Sequence, residues 1–254
     1  MLREFKKDHL TVKVFNTRSE MGEVAAAEAA RVINQLLVEK DTLNIIFAAA
    51  PSQNEFLNAL VQSNIDWSRI NAFHMDEYVG LHPEAPQGFA NFLKERVFDR
   101  VNFKSVNCLN GNAEDAEQEA ERYASLLDQH PADVVLLGIG ENTHIAFNDP
   151  HVADFNDTKL VKIVDLDEAC RQQQVNDGCF QKITEVPTHA LTLTVPALTK
   201  AKYAFCMVPS EKKAQAIYHT LTEDISADFP STILRKHENA ILYTDKDSSS
   251  LILN

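Results

Sequence analysis

Residues 43–61 read LNIIFAAAPSQNEFLNALV. Leu43 to Ala50 is a short apolar run of strand length. Pro51-Ser52 breaks it, and an amphipathic stretch follows to about Val61. Proline suits the first turn of a helix, where its missing N–H would have no helical acceptor. A strand that passes through a tight loop into a helix is half of a βαβ unit.

The rest of the chain repeats this alternation. Residues 18 to 39 carry apolar positions at helical spacing, with Thr17 or Ser19 available as N-cap. Ile70–Met75 and Asp133–Leu137 read as strands, the second a buried Val-Val-Leu-Leu run. Phe89–Val101 and Glu114–Asp128 read as helices. Further strand candidates are Leu160–Val164, Ala190–Val195, Tyr203–Val208 and Ala240–Thr244, with a helix over Ser210–Leu221 between the last two. The pattern predicts a single α/β domain over residues 1–254. Its fold is doubly wound and Rossmann-like, a mostly parallel sheet with helices on both faces. Open sheets of this kind bind ligands outside the carboxyl ends of their strands. The segments after Ala50, Met75, Leu137, Val195 and Val208 are therefore where a site is expected.

Composition narrows the function. The chain has 254 residues, 24 Lys+Arg against 37 Asp+Glu, and a formal charge of -13. Such a field repels phosphate backbones and anionic lipid, so neither nucleic acid nor membrane is expected as a partner. A small anionic ligand would need a local positive site. With only 7 glycines, and only Gly138 and Gly140 close together, no complete dinucleotide loop or P-loop exists. The 4 cysteines, Cys108, Cys170, Cys179 and Cys206, form no CxxC pair and read as free thiols in a reducing compartment. Met1 to Lys7 has no apolar core of a signal peptide, and no run approaches about 18 apolar residues. The expected location is cytoplasmic. No histidine, cysteine or acid set has zinc spacing.

Two segments carry chemistry-bearing residues at predicted strand ends. Met75-Asp76-Glu77-Tyr78 follows one strand. Its acids either serve a solvated turn or a cap, or supply a carboxylate shielded enough to act as a general base. Gly138-Ile139-Gly140-Glu141-Asn142-Thr143-His144-Ile145-Ala146-Phe147-Asn148-Asp149-Pro150 follows another. Asn142, His144 and Asp149 there either satisfy one another in a loop or hold an imidazole in one tautomer for proton transfer. Lys213 stands near the start of its helix, where N–H groups and a full charge suit an anion. Arg235 and His237 form a second basic cluster.

At these residues the chain resembles the glucosamine-6-phosphate deaminase/isomerase family, of the 6-phosphogluconolactonase superfamily. The resemblance is carried by Met75-Asp76-Glu77-Tyr78-Val79-Gly80 and by Gly138-Ile139-Gly140 through His144 to Pro150. Weaker matches are Leu109-Asn110-Gly111-Asn112, Val186-Pro187 before Ala190-Leu191-Thr192, and Lys213-Ala214. The resemblance implies a doubly wound α/β fold and action on a sugar phosphate through an enediol. It assigns Asp76 as general base between C2 and C1 and His144 as the ring-opening acid/base. Asp149 stands at the position of its usually glutamate partner, with Asn142 beside it. Ala49, Ala50, Ser52, Glu77, Gly140 and Lys213 fall at substrate- and phosphate-binding positions. No metal or redox cofactor is implied, and a homo-oligomer is left open.

The departures lie in the phosphate cradle. The family's Thr-Gly-rich loop reads Ala48-Ala49-Ala50-Pro51-Ser52-Gln53 here. Pro51 lacks an amide donor, and alanine tolerates positive φ poorly. The usual phosphate-binding arginine is missing from Asn176 to Phe180, and Thr143 replaces a usual glycine. The reading is a divergent branch acting on an (amino-)sugar phosphate, by isomerisation with or without deamination. The alternatives are a 6-phosphogluconolactonase-like hydrolase and a catalytically weakened sugar-phosphate-binding regulatory module.

Overall fold

Strand side chains alternate between faces, and the central strands of this chain are apolar on both. The computed structural model describes residues 1–253. The chain opens with β1 (Arg3–Lys7), β2 (Leu10–Phe15), α1 (Arg18–Glu39), β3 (Leu43–Phe47) and α2 (Asn54–Val61). It continues through β4 (Ile70–His74), β5 (Asp76–Tyr78), α3 (Phe89–Leu93), β6 (Ser105–Asn107), α4 (Ala116–Gln129) and β7 (Val134–Leu137). Then come β8 (Val161–Asp165), α5 (Glu168–Asn176), β9 (His189–Leu193), α6 (Val195–Thr199), β10 (Tyr203–Val208), α7 (Ala214–Thr222) and β11 (Ala240–Asp245).

Eight strands form the main sheet in the order β1-β2-β11-β10-β7-β3-β4-β6. All neighbours pair parallel except the β1–β2 hairpin. Ile45, Phe47, Val134, Leu136, Phe205 and Met207 pack into one core layer, which includes the buried faces of α1 and α2. Ile46, Val135, Leu137, Cys206 and Val208 pack into the other, with residues of α4, α6 and α7. This is the doubly wound arrangement that the alternation predicts. From β3 the chain winds outward through β4 to β6, and from β7 it winds the other way through β10 to β11. β3 and β7 are adjacent, so the winding reverses between them. Such a switch point leaves a crevice at the carboxyl ends of the strands.

Several features extend or differ from the sequence reading. The residues before 18, to which the sequence reading assigns no element, hold β1 and β2, a hairpin whose left-handed turn residue is Asp8 (φ 53). Arg235 Nε donates to Asp8 Oδ2 at 2.6 Å and Nη1 to the Glu223 carbonyl, so Arg235 is a brace outside the crevice, while His237 Nε2 lies 2.8 Å from the Ala201 carbonyl oxygen. The strands near 160–164 and 190–195 do not join the parallel sheet. β8 and β9 pair antiparallel with each other and with β5 in a separate three-stranded sheet. The segment at Val195 is consequently the first turn of α6, N-capped by Thr194, and not a crevice-forming strand end. The helix expected over 89–101 ends its α-helical part at Leu93 and continues as a π-helical turn over Lys94–Phe98.

All four cysteines are unpaired. No helix among the described residues is long and apolar enough to cross a membrane.

Candidate active site

A cleft of about 280 Å³ opens at the switch point. Its walls are the Ala48–Ser52 loop after β3, Met75 and Asp76 after β4, Gly138–Gly140 after β7, and Ser210–Lys213 after β10. His144, Ala146 and Phe147 close one side, and Gln173, Gln174, Asn176 and Asp177 from α5 close another.

The chain leaves the main sheet at Met75 and enters the small one at Asp76, which pairs with Thr192 of β9. Strand alternation then sends adjacent acids in opposite directions. Asp76 lines the cleft and is 6% exposed. Burial, reinforced by the neighbouring Glu77 charge, pushes its carboxyl well above the ordinary range. Glu77 points away, which corrects its expected place among the ligand-binding residues. It accepts from the backbone N–H groups of Tyr78, Phe89 and Ala90 at 3.0, 3.1 and 2.9 Å, and lines a different pocket. Burial pushes Glu77 up, but the adjacent His74 and these amides outweigh it and leave the group lowered. Two neighbouring carboxyls are thus driven apart in pKa, the arrangement that separates a proton-transfer group from a fixed charge.

His144 is held from behind. Its Nδ1 lies 2.6 Å from Asn142 Oδ1 and 3.0 Å from Asp149 Oδ1. Asn142 Nδ2 donates to Asp149 Oδ1 and to Asp167 Oδ2, which fixes the amide with its oxygen toward the imidazole. Both partners of Nδ1 are therefore acceptors, so Nδ1 carries the proton and Nε2 is the nitrogen left for the cleft. Asp149 is fully buried. Burial pushes its carboxyl up, yet His144, Asn142 and the Cys170 thiol together bring it below the ordinary value, so it is a carboxylate. The ring rests on Gly140: a Cβ there would overlap it. That contact by itself requires a glycine at 140. Thr143 completes the turn in the left-handed region (φ 71), where glycine would be unstrained.

The opposite end of the cleft offers unpaired donors. Ala50 is extended (φ -157), and no residue from Ala48 to Gln53 has positive φ, so the loop needs none of the glycines it lacks. The N–H groups of Ala49 and Ala50 find no acceptor among the described residues. Ser52 lines the same wall. Lys213 is 6% exposed and its Nζ has no hydrogen-bond or ion-pair partner among the described residues. Burial pulls its pKa down, against the opposing pull of Asp177 and Glu141. Its turn is fixed by Ser210, whose N–H bonds both oxygens of Asp245.

His144, Asp149 and Cys170 lie close enough to share an ion. Burial and the Asp149 charge push the Cys170 thiol well above its ordinary value.

The family model described as glucosamine-6-phosphate isomerases/6-phosphogluconolactonase matches residues 16–243. The chain belongs to this family. A glucosamine-6-phosphate deaminase of Streptococcus sanguinis (strain SK36) is 35% identical over 230 residues, 89% of this chain and 95% of that protein. One of Bacillus cereus (strain B4264) is 33% identical over 242 residues, 95% and 89% of the two chains. Among solved structures, a monomeric glucosamine-6-phosphate deaminase superposes with TM-score 0.85 at 29% identity, covering 94% of this chain and 99% of its own. The 6-phosphogluconolactonase of Thermotoga maritima superposes with TM-score 0.77 at 18% identity, covering 93% of this chain and 100% of its own, a likeness of fold.

Within this family member, the structure brings Asp76, His144, Ala49, Ala50, Ser52, Gly140 and Lys213 to one cleft, with Asn142 and Asp149 behind His144. The sequence reading missed α5. Its N-cap Asp167 accepts from the Cys170 amide, and its Gln173 Oε1 accepts from Glu141 N at 2.8 Å, clasping the glycine loop. Asp167 followed by a run of helix formers was the available signal. The reading also missed Arg18, which lines the cleft from the first turn of α1.

Proposed function

We propose that the protein is a sugar-phosphate isomerase/deaminase, converting an amino-sugar phosphate such as glucosamine 6-phosphate to the ketose phosphate with release of ammonia. The observation that carries this reading is the pairing, across one cleft, of a buried high-pKa carboxyl, Asp76, with an imidazole whose Nδ1 proton is fixed. Family membership supports it, as do the deaminases aligned along most of the chain.

His144 Nε2 first takes the proton from the C1 hydroxyl and, as imidazolium, returns it to the ring oxygen. The Asp149 carboxylate stabilises the cation that forms between these steps. The open-chain aldehyde makes the C2 proton acidic. Asp76 removes it, giving a C1–C2 enolamine, and delivers it to C1. The C2 imine that results adds water and expels ammonia, leaving the ketone. A substrate without the 2-amino group would pass through an enediol and end as the ketose. Lys213, Ser52 and the Ala49 and Ala50 amides face the phosphate.

The test is a turnover screen of pure protein on glucosamine 6-phosphate, aldose phosphates and 6-phosphogluconolactone, with ammonia and ketose phosphate measured separately. Ammonia and ketose phosphate in equal amounts are expected from the amino sugar. Lactone hydrolysis without either product would overturn the assignment.

A further inference from the structure

Pro51 costs the cradle a backbone donor, and the structure places a cation against that residue. Arg18 reaches from the start of α1 to the loop after β3. Its Nη2 donates to the Pro51 carbonyl at 3.0 Å and to Glu55 Oε2 at 2.7 Å. Those two bonds use both Nη2 hydrogens. Nε is sealed from solvent without a partner. Nη1 has no hydrogen-bond acceptor among the described residues, while the side chain is 40% exposed and lines the cleft with Ser52 and Lys213. A guanidinium fixed on one nitrogen, with donors still unsatisfied, is built to take a further acceptor.

The charges favour more than one cation at this end of the cleft. Lys213 stands within the influence of Asp177 and Glu141, and Arg18 is paired with Glu55, so neither cation alone balances a phosphate. The nearby Lys212, which also lines the cleft, spends one of its three donors on the Asn176 carbonyl at 2.7 Å. A phosphate monoester carries up to two negative charges near neutral pH. We propose that Arg18 is a phosphate ligand of this enzyme, supplying in side-chain form the donor that Pro51 withholds and pairing with Lys213 across the anion. This rests on the phosphosugar reading above.

The experiment titrates wild type, Arg18→Gln and Arg18→Lys with glucosamine 6-phosphate, glucosamine and inorganic phosphate, and follows KM and kcat separately. Glutamine retains a donor for the Pro51 carbonyl and removes the charge. Arg18→Gln should weaken the phosphorylated sugar and inorganic phosphate by roughly 10- to 150-fold, mainly in KM, with glucosamine affinity unmoved. Arg18→Lys should fall between, since it keeps charge and loses the fork. If Arg18→Gln fails to fold, the lysine variant decides on the same contrast. Wild type that prefers the phosphorylated sugar, with variants that bind it equally well, overturns this inference alone. Equal weakening of glucosamine would make Arg18 a structural brace and overturn it too. Wild type with no preference for the phosphate would overturn the phosphosugar reading and this inference together.

Discussion

The imidazole of His144 lies on the Cα of Gly140, in the space that any side chain at 140 would occupy. A close approach of this kind sets both the ring plane and its distance from the cleft. Gly140→Ala should therefore displace His144 before it unfolds the protein. Overpacking of this sort costs about 1–3 kcal/mol, whereas a shift of about 1 Å in a catalytic group can cost a hundredfold in rate. The expected result is a folded protein with kcat reduced by about a hundredfold. A variant turning over at the wild-type rate would show that the ring position is irrelevant to the reaction.

Asp76 should be catalytically necessary and energetically costly. Asp76→Asn removes the base, with an expected loss of about 10²–10⁴-fold in turnover. Its folded pKa is raised above the unfolded value of 3.8. The native state thus holds a proton that the unfolded chain has released, and native stability falls as pH rises from about 4 through the folded pKa. Asparagine carries no such penalty. The variant should melt above wild type at neutral pH, and the difference should vanish below about pH 4. Thermal melts across pH read this directly; parallel curves would place Asp76 in a solvated environment.

Lys213→Met keeps an apolar stem in place and deletes the ammonium. Phosphorylated ligand should bind roughly 10- to 150-fold more weakly, with unphosphorylated sugar unaffected. Because burial disfavours the charged amine, the same variant should melt at or above the wild-type temperature at pH 7. Competition binding with the sugar and its phosphate checks the first expectation, calorimetry the second.

Thr143 pays for its position in conformation. The left-handed region costs a non-glycine residue roughly 1–2 kcal/mol, and its buried Oγ1 has no partner, which adds roughly 1–3 kcal/mol. Glycine would give back about 0.5–1 kcal/mol in chain entropy and about 1.6 kcal/mol in lost burial of Cβ and the methyl. Thr143→Gly should stabilise the protein by about 1 kcal/mol, or about 2–4 °C in Tm for a chain of this size. A lower Tm would mean that the threonine packs better than its backbone suggests.

The parallel core was legible because β3, β7 and β10 are apolar on both faces, a pattern with few other uses. Asp76 and His144 were legible because they stand at the ends of such strands. β1 was not, because an edge strand reading Arg-Glu-Phe-Lys-Lys is protected by its charges and resembles a tail. β5 is three residues long, too short for periodicity, so the opposite fates of Asp76 and Glu77 could not be read from the dipeptide. Arg18 was hidden for a different reason. Its partners Pro51 and Glu55 lie 33 and 37 positions away, and only the packing of α1 against α2 brings them together.

The three residues of β5 also determine which acid lines the cleft. Sliding this strand by one position along β9 would exchange the two: Glu77 would swing into the cleft and Asp76 toward the amides at the start of α3. The composition of the site would be unchanged, yet the incoming carboxylate would be one methylene longer and would have left its stabilising donors behind. On the proposed mechanism, the identity of the base is thus stored in the phase of a strand as much as in a codon. One residue inserted or deleted between Met75 and Gly80 would alter the chemistry while every acid remained in the gene.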